Sequence, residues 1–482
     1  MSILYGLAAV AIFLRLLYAI YYRLVASPLA KIPGPAVSKL IRLWLVYQEL
    51  TGRRRTYIHD LHKLYGEVVR IAPNEVSFAT GEAVKQIYSV GGSGYEKTEF
   101  YNLFMNFGAR NMFSTLTKGE HSERKRRIAD RYAKTYVMQP NILAGIRERA
   151  VAFVAKVSQD YAARGSVNVY VPLHCYALDC ITHHLFHPYG THSIEDPEDL
   201  KIMQELSYHD SLKARIVQYY LPRLHKLIGK VGNPFASAKK PDLTASYVLE
   251  NCNNRSASVS DHTVLAKLRT RKDSVPAFEI PSECMDHLAA GIDTTGDGLC
   301  FLMWQLSRRE SAHIQEKLRA EIQDNPQVPV DDLPYMEAVV KEGLRCYSPI
   351  PMSLPRYVPE EGRVLEGYYL PGKTIVSCQA WTLHQLDTKV FPDPEKFVPE
   401  RWLEEDGKED RNRLFFAFAS GGRGCIGKNL ALMEMKILLK EVYGSYRTVI
   451  APEMTASMEI SDQIIASRPK GQVCLLRFEE IA

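Results

Sequence analysis

One cysteine set among glycines constrains this chain more than any other feature. In Phe418-Ala-Ser-Gly421-Gly-Arg423-Gly-Cys425-Ile-Gly427, four glycines surround a single thiol, and an apolar helical pattern follows. Glycine lets backbone approach a flat group closely and turn where other residues resist. A thiolate presented on such a loop is a soft axial ligand, and haem iron held by cysteine supports iron–oxygen chemistry. Arg423, a planar two-pronged donor, suits a carboxylate such as a haem propionate. Alone, the run is also compatible, less favourably, with a structural cysteine in a surface turn.

Three further stretches narrow the choice. Glu342-Gly-Leu-Arg345 places an acid and a base three apart, on one face of a helix. On its own that is an ordinary solvated pair. Phe391-Pro-Asp-Pro, Phe397, Pro399, Glu400, Arg401 and Trp402 follow it. Between Pro281 and Arg309 the pattern is one long apolar helix, with Pro281 and Ser282 in its first turn. Gly291, Thr294, Thr295, Gly296 and Gly298 are poor residues for its middle, and threonine hydroxyls can divert backbone hydrogen bonds there. The middle therefore marks either a groove beside a cofactor or a notch for close packing.

F-x-x-G-x-R-x-C-x-G, E-x-x-R, the Phe-Pro-Asp-Pro segment and Ala290-Gly291-Ile292-Asp293-Thr294-Thr295 occur in the order found in the haem-thiolate cytochrome P-450 family, which the chain resembles over nearly its whole length. The resemblance implies a mainly α fold with small β-sheets, in a single large haem domain. It implies haem b bound through Cys425, with Phe418, Gly421, Arg423 and Gly427 shaping the loop, and a buried triad of Glu342, Arg345 and Arg401 behind it. Thr294 and Asp293 would line a groove at the iron and supply protons during oxygen activation. The activity implied is hydroxylation or epoxidation of an apolar small molecule with one atom of O2. Electrons would come from NADPH through a flavin-containing reductase, or from a cytochrome b-type donor. Two other readings stay open: a haem-thiolate rearrangement enzyme that needs no reductase, and a non-catalytic haem sensor.

The family's propionate helix usually carries an aromatic or His, then Arg four residues later. Here His121 is followed by Lys125 within His121-Ser-Glu-Arg-Lys-Arg-Arg127, which leaves Arg124, Lys125 and Arg126 as rivals for that contact. Arg356, after Leu354-Pro355, is a further candidate. With Lys428, Lys436 and Lys440 the basic run predicts a positive face that steers an acidic electron donor.

Ile3 to Tyr22 is apolar except for Arg15, about the length that spans a bilayer. The basic residues Arg23 and Lys31 follow it, which favours a membrane anchor over a cleaved signal and a cytosolic body. Ile32-Pro33-Gly34-Pro35 reads as a stiff hinge, giving an anchor over 1–25, a hinge over 26–36 and a catalytic domain over 37–482. The compartment expected is the endoplasmic-reticulum membrane. The hinge and the run from Tyr65-Gly66 to Ser77 resemble the filamentous-fungal branch, and with it secondary metabolism of terpenoids or polyketides.

Composition adds exclusions. With 46% hydrophobic residues the chain can fill a large core, and a net charge of +5 with no basic, aromatic-interleaved patch gives no nucleic-acid signature. Nine irregularly spaced cysteines fit buried thiols rather than a disulfide framework. Val68–Ile71 and Glu75–Phe78 around Pro73-Asn74 predict one β-hairpin, and Gly367–Leu370 and Thr374–Ser377 around Pro371-Gly372 a second. The Ser, Asn, Lys and Pro-rich stretch from Asn233 to Val275 reads as an exposed connection that admits substrate.

Overall fold

The amino-terminal helix and the chain after it expose opposite kinds of surface. In the computed structural model, which describes residues 2–90, 94–208, 211–222, 227, 242–254, 258–270 and 278–480, helix α1 (Ser2–Tyr21) runs into a widened turn, Tyr22–Ala26. The stretch Leu4–Ala26 is long and apolar enough to cross a membrane, and none of it is buried against the rest of the protein. The proline-rich segment that follows is docked rather than free. Leu29 and Ile32 are buried, and the Arg70 guanidinium donates to the carbonyls of Arg23 at 2.8 Å, Leu29 at 3.2 Å and Pro73 at 2.7 Å.

The described helices that frame the site are α2 (Lys118–Ile128), α3 (Pro140–Arg164), α4 (Tyr170–Phe186), α5 (Pro197–Tyr208), α6 (Glu279–Leu306), α7 (Pro334–Cys346) and α8 (Lys428–Ser445). Helix α6 occupies the centre, touched by α4, α5, α7 and α8. It begins two residues before the expected Pro281 and ends three before Arg309. Its glycines are packing notches: a β-carbon at Gly291 would lie 2.8 Å from the Ile181 side chain, and one at Gly296 2.9 Å from the His174 ring. Close approach of α4 therefore explains part of the composition that looked like local weakness.

A five-stranded sheet lies at the other end of the domain. Its strands are β1 (Val68–Ala72), β2 (Glu75–Phe78), β3 (Glu96–Lys97), β4 (Arg356–Tyr357) and β5 (Ile375–Cys378), in the order β1-β2-β5-β4-β3. The first hairpin forms as expected, with Val68 opposite Phe78. The second does not. Tyr368–Leu370 pairs instead with Arg363–Leu365, across a two-residue turn in which Glu366 and Gly367 both have positive φ, 48° and 76°. Such a turn matches the twist of a tight hairpin. Beyond Pro371, Ile375–Cys378 joins β2 in parallel, where Val376 and Cys378 become fully buried.

The expected exposed connection is also corrected. Asp242–Asn253 and Val264–Arg269 are helices packed against α6, with Val248, Val264 and Leu265 fully buried. Polar residues flank these short apolar runs on both sides, so the composition of the whole stretch masked them. Residues 233–241, 255–257 and 271–275 lie outside the described residues.

Candidate active site

Cys425 differs from the chain's other cysteines in one respect. All nine are free thiols, eight are buried, and Cys425 alone is exposed. Its loop is fixed from within: Cys425 N–H donates to the Phe418 carbonyl at 2.9 Å, and Gly424 N–H to the Gly421 carbonyl at 2.9 Å. Gly421 sits at φ +70°, and a β-carbon there would be 2.0 Å from the Tyr88 carbonyl oxygen, so this position requires glycine. Phe418 is half-buried and lies beneath the Lys428 ammonium, 5.8 Å from ring centre to nitrogen. Surrounding protein pushes the Cys425 thiol above its ordinary value. The backbone N–H groups of Gly427 and Lys428 and the charges of Lys125 and Lys428 act against that. These are the groups that stabilise a thiolate. Gly422 to Gly427 also has the G-x-G-x-x-G spacing of dinucleotide loops. The element before it is the helix Lys408–Leu414, not a strand, so that reading fails.

Behind the loop the structure brings Glu342, Arg345 and Arg401 together. The Glu342 carboxylate accepts from Arg345 Nε at 2.9 Å and Nη2 at 2.8 Å, and from Arg401 Nε at 3.0 Å. It also accepts from Trp402 Nε1 at 2.8 Å and Val398 N–H at 3.0 Å. Arg345 donates onward to the carbonyls of His384 at 3.0 Å, Pro394 at 2.7 Å and Lys396 at 2.9 Å. Glu342 and Arg345 are fully buried and Arg401 nearly so. Each of the three charges is paired with an opposite one and further hydrogen-bonded, the condition under which a buried ion pair is tolerable.

His384, which the sequence did not single out, joins this triad to the cysteine loop. Its Nε2 accepts from Phe416 N–H at 2.8 Å, so the ring proton sits on Nδ1, 3.0 Å from Ser348 Oγ and 3.1 Å from the Arg345 carbonyl. Burial, then the Arg345 charge, lowers its pKa to about 3. A neutral histidine of this kind stabilises the fold above its unfolded pKa of about 6.5, and that contribution disappears as pH falls toward the folded value. The stability gap between wild type and His384→Gln, measured by urea unfolding, should therefore shrink by about 1.4 kcal/mol for each pH unit below 6.5. A gap independent of pH would contradict the neutral assignment.

Beside the loop lies a cluster of cations. Arg423 pairs with Glu96 at 3.0 Å and donates to the carbonyls of Tyr95 and Leu116. Arg356 is buried and donates to Tyr101 Oη at 2.5 Å. Lys125 Nζ donates to the Gly422 carbonyl at 3.0 Å and the Gly424 carbonyl at 3.3 Å, so it holds the cysteine loop directly. Its rivals are engaged elsewhere: Arg124 with Glu279 and Glu283, Arg126 with the Ser122 carbonyl. His121 is buried with Nδ1 unpaired among the described residues, and burial plus Lys97, Arg423, Lys125 and Arg356 lowers its pKa to about 3. Lys97, which no sequence signal marked, is buried there too. Burial, then Arg356 and Arg423, holds its pKa well below the usual value. Desolvated cations in excess of carboxylates form a receptor for an anion. An exposed thiol on a glycine loop beside such a receptor, with the His121 nitrogen unsatisfied, fits a haem bearing two propionates.

Helix α6 packs against α8, the helix that follows Cys425. Thr294 is half-buried and its Oγ1 donates to the Ala290 carbonyl at 2.6 Å. The Asp293 Oδ1 accepts from Ser207 Oγ at 3.0 Å. Thr295 turns inward to Glu434 on α8, at 3.4 Å, tying this helix to the one that follows Cys425. The predicted positive face is smaller than expected. Lys436 is buried, paired with Asp331 at 2.8 Å and with Glu337, because it lies on the core side of α8 where those acids converge. Lys440 donates to the Pro326 and Val328 carbonyls at 3.0 Å each, and Lys428 stays exposed.

Comparison with known proteins gives the same answer as the site. The cytochrome P-450 family model matches residues 32–475. Cytochrome P-450 monooxygenase tazI of Aspergillus terreus is 28% identical, over 97% of this chain and 98% of its own. Cytochrome P-450 monooxygenase aflV of Aspergillus parasiticus is 28% identical, over 94% of this chain and 91% of its own. Pisatin demethylase of Fusarium vanettenii is 26% identical, over 90% and 87%.

Proposed function

Because this chain belongs to the cytochrome P-450 family and is an oxidoreductase of the monooxygenase kind, we propose that it inserts one oxygen atom of O2 into an apolar small molecule of fungal secondary metabolism, a terpenoid or polyketide. The observation that carries this reading is the exposed Cys425 on a loop held by a buried, charge-paired triad. Haem bound through that thiolate would supply the activation of dioxygen. Arg423, Arg356, Lys125 and His121, with Lys97, would hold its two carboxylates. Asp293, oriented by Ser207, relays protons through its carboxylate, and Thr294 hands them on through Oγ1. That intact pair favours a monooxygenase over a rearrangement enzyme or a sensor. Electrons come from NADPH–cytochrome P-450 reductase, with a cytochrome b-type donor as an accessory, docking near the basic residues around Lys428. Residues 1–25 anchor the protein in the endoplasmic-reticulum membrane with residues 37–482 as the cytosolic catalytic body.

Thr294→Ala tests the proton role. The variant should keep its haem, because the Ala290 carbonyl retains its helical partner. Product formed per NADPH should fall roughly tenfold or more, with the missing electrons recovered as hydrogen peroxide. Unchanged coupling would refute the assignment.

A further inference from the structure

His174 and Asp297 meet where α4 is seated in the Gly296 notch of α6. His174 is fully buried and Asp297 is 2% exposed. The His174 Nδ1–H donates to the Tyr170 carbonyl at 2.8 Å, which leaves Nε2 facing Asp297 Oδ1 at 3.5 Å. Among the described residues neither atom has another hydrogen-bond partner. An imidazole lone pair and a carboxylate oxygen facing each other out of water repel, unless a proton lies between them. The Tyr170 ring covers the imidazole with centroids 4.2 Å apart, and a 3.5 Å gap is too short to hold a bridging water between the two atoms. Asp293 completes the group, since its carboxylate and the other two ligand-capable atoms all lie within 4.8 Å of one another. A spread that wide is loose for a metal whose ligands sit about 2.0–2.2 Å from the ion.

We propose that His174 and Asp297 form a buried imidazolium–carboxylate pair that stores one proton for Asp293. The store is filled through Asp293, the half-exposed member of the three, and emptied by the same route. When Asp293 has given up its proton, the His174 Nε2–H bond breaks and an O–H bond forms on the Asp293 carboxylate. One positive and one negative charge cancel. A proton from solvent then restores the pair. Burial works against the His174 charge, and the Asp297 carboxylate outweighs it, so the histidine pKa is raised. The other titratable or charged groups facing the pair are Tyr170 on α4, Tyr208 on α5, Cys300 on α6 and Arg468 on the strand Ser467–Pro469. Delivery to Asp293 rests on the monooxygenase reading; the stored proton does not.

Two measurements on the full-length haem protein separate those claims. A histidine whose folded pKa is raised contributes stability that is complete below pH 6.5 and is lost as pH rises through the folded value. Urea midpoints of wild type should therefore carry a one-proton alkaline decline that His174→Gln and the near-isosteric Asp297→Asn both lack. Product per NADPH should fall roughly fivefold in either variant, and its dependence on pH above 7 should flatten. Identical pH profiles in wild type and variants would overturn the stored proton, as would a stoichiometric metal other than iron that Asp297→Asn releases. Altered stability profiles with unchanged coupling would overturn delivery to Asp293. If the thiolate-type haem spectrum is absent from wild type, the monooxygenase reading fails while the stability comparison still decides the proton.

Discussion

Cys425→Ser is expected to give a folded protein that forms no product and whose reduced, carbon-monoxide-treated spectrum lacks the thiolate-type shift. The fold should survive because the loop does not depend on sulfur. Cys425 contributes its N–H to the Phe418 carbonyl, and the turn is set by Gly421 against Tyr88; serine preserves both. The chemistry should not survive. A serine hydroxyl stays protonated under conditions where the Gly427 and Lys428 N–H groups and the Lys125 charge help a thiol to ionise. The remaining cysteines are buried and none can substitute. Circular dichroism should match wild type, while haem retention and turnover collapse. A thiolate-type spectrum in the variant would remove the ligand assignment.

Glu342→Gln should produce the largest loss of stability of any single conservative change in the domain. The carboxylate accepts from two arginines, the Trp402 indole and the Val398 backbone. An amide cannot accept on its nitrogen and carries no charge. Two buried guanidiniums would then lack their counter-ion, at a cost of about 3–5 kcal/mol. Since His384 carries the position of Arg345 to Phe416, the disturbance should reach the cysteine loop and release haem as well. Urea unfolding and haem content would be measured together. A loss below about 1 kcal/mol would mean that the triad behaves like a solvated pair.

Local motifs made much of this site legible. The cysteine loop and the E-x-x-R pair lie within ten residues each, and their spacing alone places donors and acceptors. Arg401 required a contact 59 residues away, supplied by the family resemblance. Lys97 and His384 carried no local signal: one is drawn into the cation cluster by sheet pairing with Arg356, the other by packing against α7. His174 and Asp297 are separated by more than a hundred residues, and only the glycine notch in α6 lets them meet. The second hairpin was misplaced because Pro371-Gly372 outweighed Glu366-Gly367 as a turn signal, although only the latter has the backbone that a tight hairpin needs. Lys436 read as surface because helical periodicity does not reveal which acids, here Asp331 and Glu337, will line the core.

The absorption spectrum of the purified wild-type protein, reduced and saturated with carbon monoxide, is the most direct examination of the ligand on which these roles depend. One haem per chain with the strongly red-shifted band of cysteine ligation is the expected result. A haem-free protein, or a band characteristic of nitrogen ligation, would contradict it.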